Sequence, residues 1–128
     1  MTFYSKLPQD DKKYSWTRHS LEKLRQYALS PQRIKRVIRN PRRIEKGIAP
    51  ETIAVMQPLG KGTLKKKWSQ EIWVMYQTKV KNQKSKIKNI GSGQIKIISV
   101  WRYPGVSPER GILPIPPDIL EEIQEYLN

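Results

Sequence analysis

Apolar residues recur at helical spacing in the first third of the chain and predict two consecutive helices. The first spans about residues 18–29, with Thr17 as its N-cap. The second begins at Ser30-Pro31, because serine is a favoured N-cap and proline a favoured first helical residue, and it ends at Asn40-Pro41. The apolar positions that define the two buried stripes are Leu21, Leu24, Ala28, Ile34, Val37 and Ile38.

After Pro41 the pattern changes to alternating and β-branched residues, which indicates strands. Residues 44–48 alternate, and the stretches 52–57, 71–79 and 94–103 have the composition of buried strands. No helical stretch separates them, so we expect an antiparallel meander. A proline-rich segment then leads to a final helix, whose apolar positions are Ile119, Leu120, Ile123, Tyr126 and Leu127.

These elements predict an α+β fold in which two N-terminal helices pack on a three- to four-stranded antiparallel sheet, with an additional C-terminal helix. The 128 residues fit one domain, residues 1–128, with an irregular lead-in at 1–13 and a C-terminal helix region at 111–128.

Composition excludes several chemistries. The chain has no cysteine and one histidine, so disulfides, thiol nucleophiles and thiolate or multi-histidine metal sites are excluded. We therefore expect no metal and no cofactor. No stretch of about 18 apolar residues and no signal-peptide pattern is present, so we expect a cytoplasmic protein without a membrane partner.

The net charge of +14 is concentrated in one part of the chain. Residues 12–117 carry a net charge of +19, whereas residues 118–128 carry −4. Such an excess attracts polyanions, and nucleic acid is the expected partner. The predicted nucleic-acid-binding residues are those of the second helix, Arg33, Lys35, Arg36 and Arg39, and those of two loop regions, Lys65, Lys66, Lys67, Lys79, Lys81 and Lys84. The alternative for the lysine-rich loops is a solvated surface that keeps the protein soluble.

The order of elements resembles the RelE-like and BrnT-like toxin superfamily. The residues that carry the resemblance are Thr17-Arg18-His19-Ser20 at the first helix, the strand end Ser99-Val100-Trp101-Arg102, and Glu109-Arg110. The resemblance covers about residues 14 to 110. Compared with the pattern of BrnT-like toxins, this sequence has one extra residue before Arg102 and a longer gap to Glu109. The resemblance implies a metal-independent endoribonuclease of a toxin–antitoxin pair, acting on RNA that is free or on the ribosome, and an acidic antitoxin as partner.

The candidate catalytic residues are His19, Arg102, Glu109 and Arg110. Metal-independent RNA cleavage needs a base, an acid and cations at the phosphorus. We expect Arg102 and Arg110 to hold the scissile phosphate and His19 or Glu109 to transfer protons, since only His19 has an ordinary pKa near neutrality.

Structural roles for these residues remain open. His19 can hydrogen-bond the neighbouring sheet, and Arg102 can form an ion pair with Glu71 or Glu109. The alternative function is a non-catalytic nucleic-acid or ribosome-binding module with the same fold. Because alternation places the aromatic residues on both faces of the sheet, most of them are expected in the core.

Overall fold

The computed structural model describes residues 7–65, 67–78, 94–109 and 112–124, which form an α+β fold. Within those ranges the chain forms, in order, β1 (Tyr14–Trp16), α1 (Arg18–Gln26), α2 (Pro31–Arg39), β2 (Arg43–Lys46), β3 (Thr52–Leu59), β4 (Gln70–Thr78), β5 (Ile95–Pro104) and α3 (Pro117–Glu122). None of the helices in this part of the chain is long and apolar enough to cross a lipid bilayer.

Side-chain caps begin both N-terminal helices at the predicted residues. The hydroxyl of Thr17 accepts a hydrogen bond from the Ser20 amide at 3.0 Å, and that of Ser30 accepts one from the Arg33 amide at 3.1 Å. Each bond satisfies an amide that lacks a partner within the helix. The predicted starts of α1 and α2 are thereby confirmed.

The sheet has five strands in the order β1-β5-β4-β3-β2. Strands β2 to β5 form the predicted antiparallel meander. The expectation of a purely antiparallel sheet of three or four strands is wrong, however, because β1 pairs with β5 in parallel, with Tyr14 opposite Ile95. The sequence did not predict β1, because three residues are too few to show an alternating pattern. The strand forms by pairing with residues some 80 positions further along the chain.

Two aspartates accept hydrogen bonds from the amides of β1 that point away from the sheet. The Asp11 carboxylate accepts from the Tyr14 amide at 2.8 Å, and the Asp10 carboxylate accepts from the Trp16 amide at 2.9 Å. The segment predicted to be an irregular lead-in therefore forms hydrogen bonds at the edge of the sheet.

Alternate residues of the strands pack into two hydrophobic clusters, one on each face of the sheet. The first includes Leu24 of α1 and Ile34 of α2. The second includes Ile119 and Ile123 from the C-terminal helix region, together with Trp73 and Trp101, whose rings stack 6.1 Å apart. The two tryptophans are fully buried, as the alternation predicted for most of the aromatic residues.

Candidate nucleic-acid interface

His19 is buried in the first turn of α1 and bonds two other elements. Its Nε2 lies 2.8 Å from the Ser99 hydroxyl of β5, and its Nδ1 lies 3.1 Å from a carboxylate oxygen of Glu122 in α3. Burial, and then the charge of Lys23, lower the pKa of His19, although Glu122 acts in the opposite direction. Ser99 is fully buried and so not accessible to a substrate. The contact between His19 Nε2 and the Ser99 hydroxyl is the bond to the neighbouring sheet that the structural alternative for His19 predicts.

The acidic residues of α3 neutralise a buried lysine of α1. The Lys23 ammonium lies 2.9 Å from Glu122 and 3.4 Å from Asp118, and it donates to the Gln26 side chain at 2.7 Å. Burial lowers the pKa of Lys23, but the hydrogen bonds and charges of Glu122 and Asp118 outweigh burial, and the pKa is raised. These two acidic groups are therefore engaged with α1 and do not offset the charge of α2.

Arg102, at the end of β5, holds the C-terminal end of α1. Its guanidinium donates to the Tyr27 carbonyl at 2.7 Å, the Ala28 carbonyl at 3.1 Å and the Gln70 side chain at 2.8 Å. The first two acceptors lie just beyond the last residue of α1, where helix carbonyls lack partners.

The ion pair considered between Arg102 and Glu71 does not form. Arg102 lies opposite Ile72 in the β4–β5 pairing, and Glu71 lies opposite Tyr103. Because successive residues of a strand point to opposite faces, the Arg102 and Glu71 side chains lie on opposite faces of the sheet.

The candidate catalytic residues do not converge in the described part of the chain. His19 lies in the first turn of α1, whereas the Arg102 guanidinium contacts the Tyr27 carbonyl beyond its last turn, which at 1.5 Å per residue is about 12 Å further along the helix axis. Glu109 lines a cleft formed by other residues, and Arg110 lies outside the described residues. The catalytic roles of these residues remain predictions, and the separation of His19 from Arg102 gives them no geometric support.

The second helix presents the predicted basic surface, which we call the α2 face: Arg33, Lys35, Arg36 and Arg39. Arg36 and Arg39 are exposed, and the Lys35 ammonium lies 5.0 Å from the centre of the Tyr14 ring. Arg33 is partly buried. Its pKa is lowered by that burial and then by the positive charges of Arg36 and Arg102. The charge of Arg102 therefore acts on Arg33 within the α2 face.

The predicted lysines belong to two loop regions, of which the structure describes only part. Lys65 and Lys67 are exposed between β3 and β4. Lys66, Lys79, Lys81 and Lys84 lie outside the described residues.

A second basic surface is a cleft that sequence reasoning missed. We call it the arginine–tryptophan cleft; its volume is about 280 Å³, and it is lined by Arg42, Arg43, Glu45, Met56, Lys67, Trp68, Val106, Ser107 and Glu109. The available signal was the pair Arg42-Arg43 directly after Pro41, which continues the basic run of α2. The tryptophan comes from another loop, so its meeting with these arginines depends on the tertiary structure.

Arginine side chains lie over tryptophan rings at this cleft. The exposed Arg42 guanidinium is 5.2 Å from the centre of the Trp68 ring. Arg43 is 5.3 Å from the Trp73 ring and is committed to protein contacts, since it donates to Glu45 at 2.6 Å and to the Ser107 hydroxyl at 2.7 Å. Arg42 is therefore the arginine of this pair that can contact a ligand.

A fully buried carboxylate fixes the wall of the cleft. Glu71 accepts hydrogen bonds from the indole N–H groups of Trp68 and Trp73 and from the Ser107 amide, each at 2.9 Å. Three donors satisfy the charge that burial removes from water. Glu71 thus orients the ring against which Arg42 lies.

No protein-family model, curated protein or solved structure matches this chain. Among the described residues, no group of three or more histidine, aspartate or glutamate side chains is placed to hold a metal ion. The case for a function therefore rests on the geometry and charge of the two basic surfaces.

Proposed function

We propose that the protein binds RNA through the α2 face. The observation that carries this proposal is the row formed by Arg33, Arg36 and Arg39, which follow one another at intervals of three on α2 and so lie on one side of the helix, with Arg36 and Arg39 exposed. In the described ranges the carboxylate ion pairs involve His19, Lys23 and Arg43 and none of these three arginines. A phosphate backbone reduces the repulsion between neighbouring positive charges that have no carboxylate partner. In addition, a guanidinium donates two parallel hydrogen bonds to a phosphate.

Fluorescence anisotropy with a labelled RNA over a series of salt concentrations tests the proposal. We expect log affinity to fall linearly with log salt, with a slope of about −0.7 per phosphate neutralised on a single strand and about −0.9 on a duplex. Replacing Arg36 and Arg39 together by alanine should reduce the slope by about 1.4 to 1.8 and weaken binding.

The matched control removes the same charge from α1, where Arg18 and Arg25 are exposed. Its double alanine variant should retain most of the salt dependence. Binding that does not respond to salt, or equal effects of the two double variants, would refute an interface on α2.

The second candidate function is cleavage of the bound RNA, which the resemblance implies. One observation favours it: the exposed carboxylate of Glu109 lies at the same cleft as Arg42 and Lys67, which brings a group able to transfer a proton next to cations. Incubation of labelled RNA with the pure protein in EDTA is the test. Product formation that Glu109→Gln abolishes supports cleavage, whereas intact RNA leaves binding as the function.

A further inference from the structure

The arginine–tryptophan cleft differs in shape and construction from the α2 face. The α2 face is the outer surface of a helix, whereas the cleft is a concavity of about 280 Å³. That volume lies just below the usual range of about 300 to 1,000 Å³ for small-molecule sites, so the cleft has room for one nucleotide unit and not for a double helix.

The cleft combines a cation with a planar stacking surface. The Trp68 ring packs against the second hydrophobic cluster and carries the Arg42 guanidinium 5.2 Å from its centre. The guanidinium thus lies over the tryptophan ring. Since Arg42 is exposed, the part of its guanidinium that does not contact the ring is accessible to a ligand. Unpaired bases stack on guanidinium planes as well as on aromatic rings.

The surrounding contacts hold this arrangement before a ligand arrives. Glu71 fixes the Trp68 indole at 2.9 Å, and Arg43 is tied to Glu45 and Ser107. The exposed Lys67 adds a positive charge at the same cleft. A preformed site avoids part of the entropy that ordering these side chains would cost.

We propose that this cleft receives one unpaired nucleotide of a single-stranded RNA, with the base stacked on Arg42 and an adjacent phosphate at Lys67. The proposal rests on the proposed RNA binding and adds a preference for unpaired over paired RNA. The segment Asn40-Pro41-Arg42 joins the end of α2 to the cleft, so one strand can follow the basic residues from the α2 face into the cleft.

The test compares the binding of a labelled single strand of about 12 nucleotides, a length within known single-strand site sizes, with that of its duplex. We expect the wild type to prefer the single strand and Arg42→Ala to bind that strand about 5- to 150-fold more weakly, the range expected for loss of a stacked base. Arg42→Lys retains the charge but not the plane, so it should retain the salt slope and lose the preference.

The matched control is Arg25→Ala, an exposed arginine of α1 outside the cleft lining, and urea unfolding checks that each variant folds. Two results would overturn the cleft proposal alone, provided that RNA still binds. One is an equal effect of Arg42→Ala and Arg25→Ala, and the other is binding of the duplex by the wild type as tightly as the single strand. Absence of binding to both RNAs would overturn the proposed function, and the cleft proposal with it.

Discussion

Substitution of Glu71 by glutamine tests whether the buried carboxylate holds the cleft and the second hydrophobic cluster together. Glutamine has nearly the same shape, but its amide nitrogen must replace one carboxylate oxygen. If it replaces Oε1, it faces the indole N–H of Trp73, and if it replaces Oε2 it faces the N–H groups of Trp68 and Ser107. In either orientation the amide N–H group opposes at least one other buried donor.

The expected cost follows from these contacts. An unsatisfied buried donor costs about 1 to 3 kcal/mol, and each remaining bond loses about 1 kcal/mol when its acceptor becomes neutral. Removal of a buried charge offsets part of this loss. We expect the free energy of unfolding to fall by about 3 kcal/mol, which for a domain of this size corresponds to a decrease in Tm of about 10 °C.

Urea denaturation followed by far-ultraviolet circular dichroism measures this loss. Glu109→Gln is the matched control, because it makes the same chemical change at an exposed position of the same cleft, and it should change the free energy of unfolding by less than about 0.5 kcal/mol. A Glu71→Gln protein as stable as the wild type would show that the three donors do not depend on the charge, and the proposed positioning role would fail.

Three further predictions concern α1 and its neighbours. Arg102→Ala should lower the free energy of unfolding in urea by about 2 to 4 kcal/mol and Arg102→Lys by nearly as much, because lysine cannot bridge three acceptors; unchanged stability in both would contradict the helix-capping role. The lowered pKa of His19 means that the unfolded chain binds the extra proton more readily than the folded chain, so stability should be complete only well above pH 6.5 and should decline as the pH falls through 6.5 toward the lowered value. His19→Gln should flatten this dependence between about pH 7.5 and 5.5, and parallel profiles would refute it. Glu122→Gln should destabilise by about 2 kcal/mol in the same assay, since it weakens the pairing of the buried Lys23; Glu121→Gln, on the same helix, is the control, and equal effects would contradict a specific Lys23–Glu122 contact.

The local signals in the sequence were sufficient for much of the fold. Thr17 and Ser30 cap the helices as predicted, because capping depends on residues three positions apart. The strands β3, β4 and β5 lie within one or two residues of the predicted stretches, since each is long and rich in β-branched or aromatic residues. The contact of His19 with the sheet was one of the alternatives left open, whereas the contacts of Arg102 with the end of α1 and with Gln70 were not predicted. Nothing near these residues in the chain shows what they contact.

The amino-acid sequence by itself determined where the helices begin, where the long strands lie, and that the positive charge is concentrated in the middle of the chain. Only the tertiary structure decided that β1 joins β5, that α3 covers the face of the sheet opposite α2, and that Glu71 is buried between two indoles. The physical reason is that capping and periodicity act over a few residues, whereas a cleft forms when side chains distant in sequence meet. Arg42 and Trp68 are 26 positions apart, yet they lie within 5.2 Å, as Arg42 Cζ to ring centre, at the cleft that we propose binds an unpaired nucleotide.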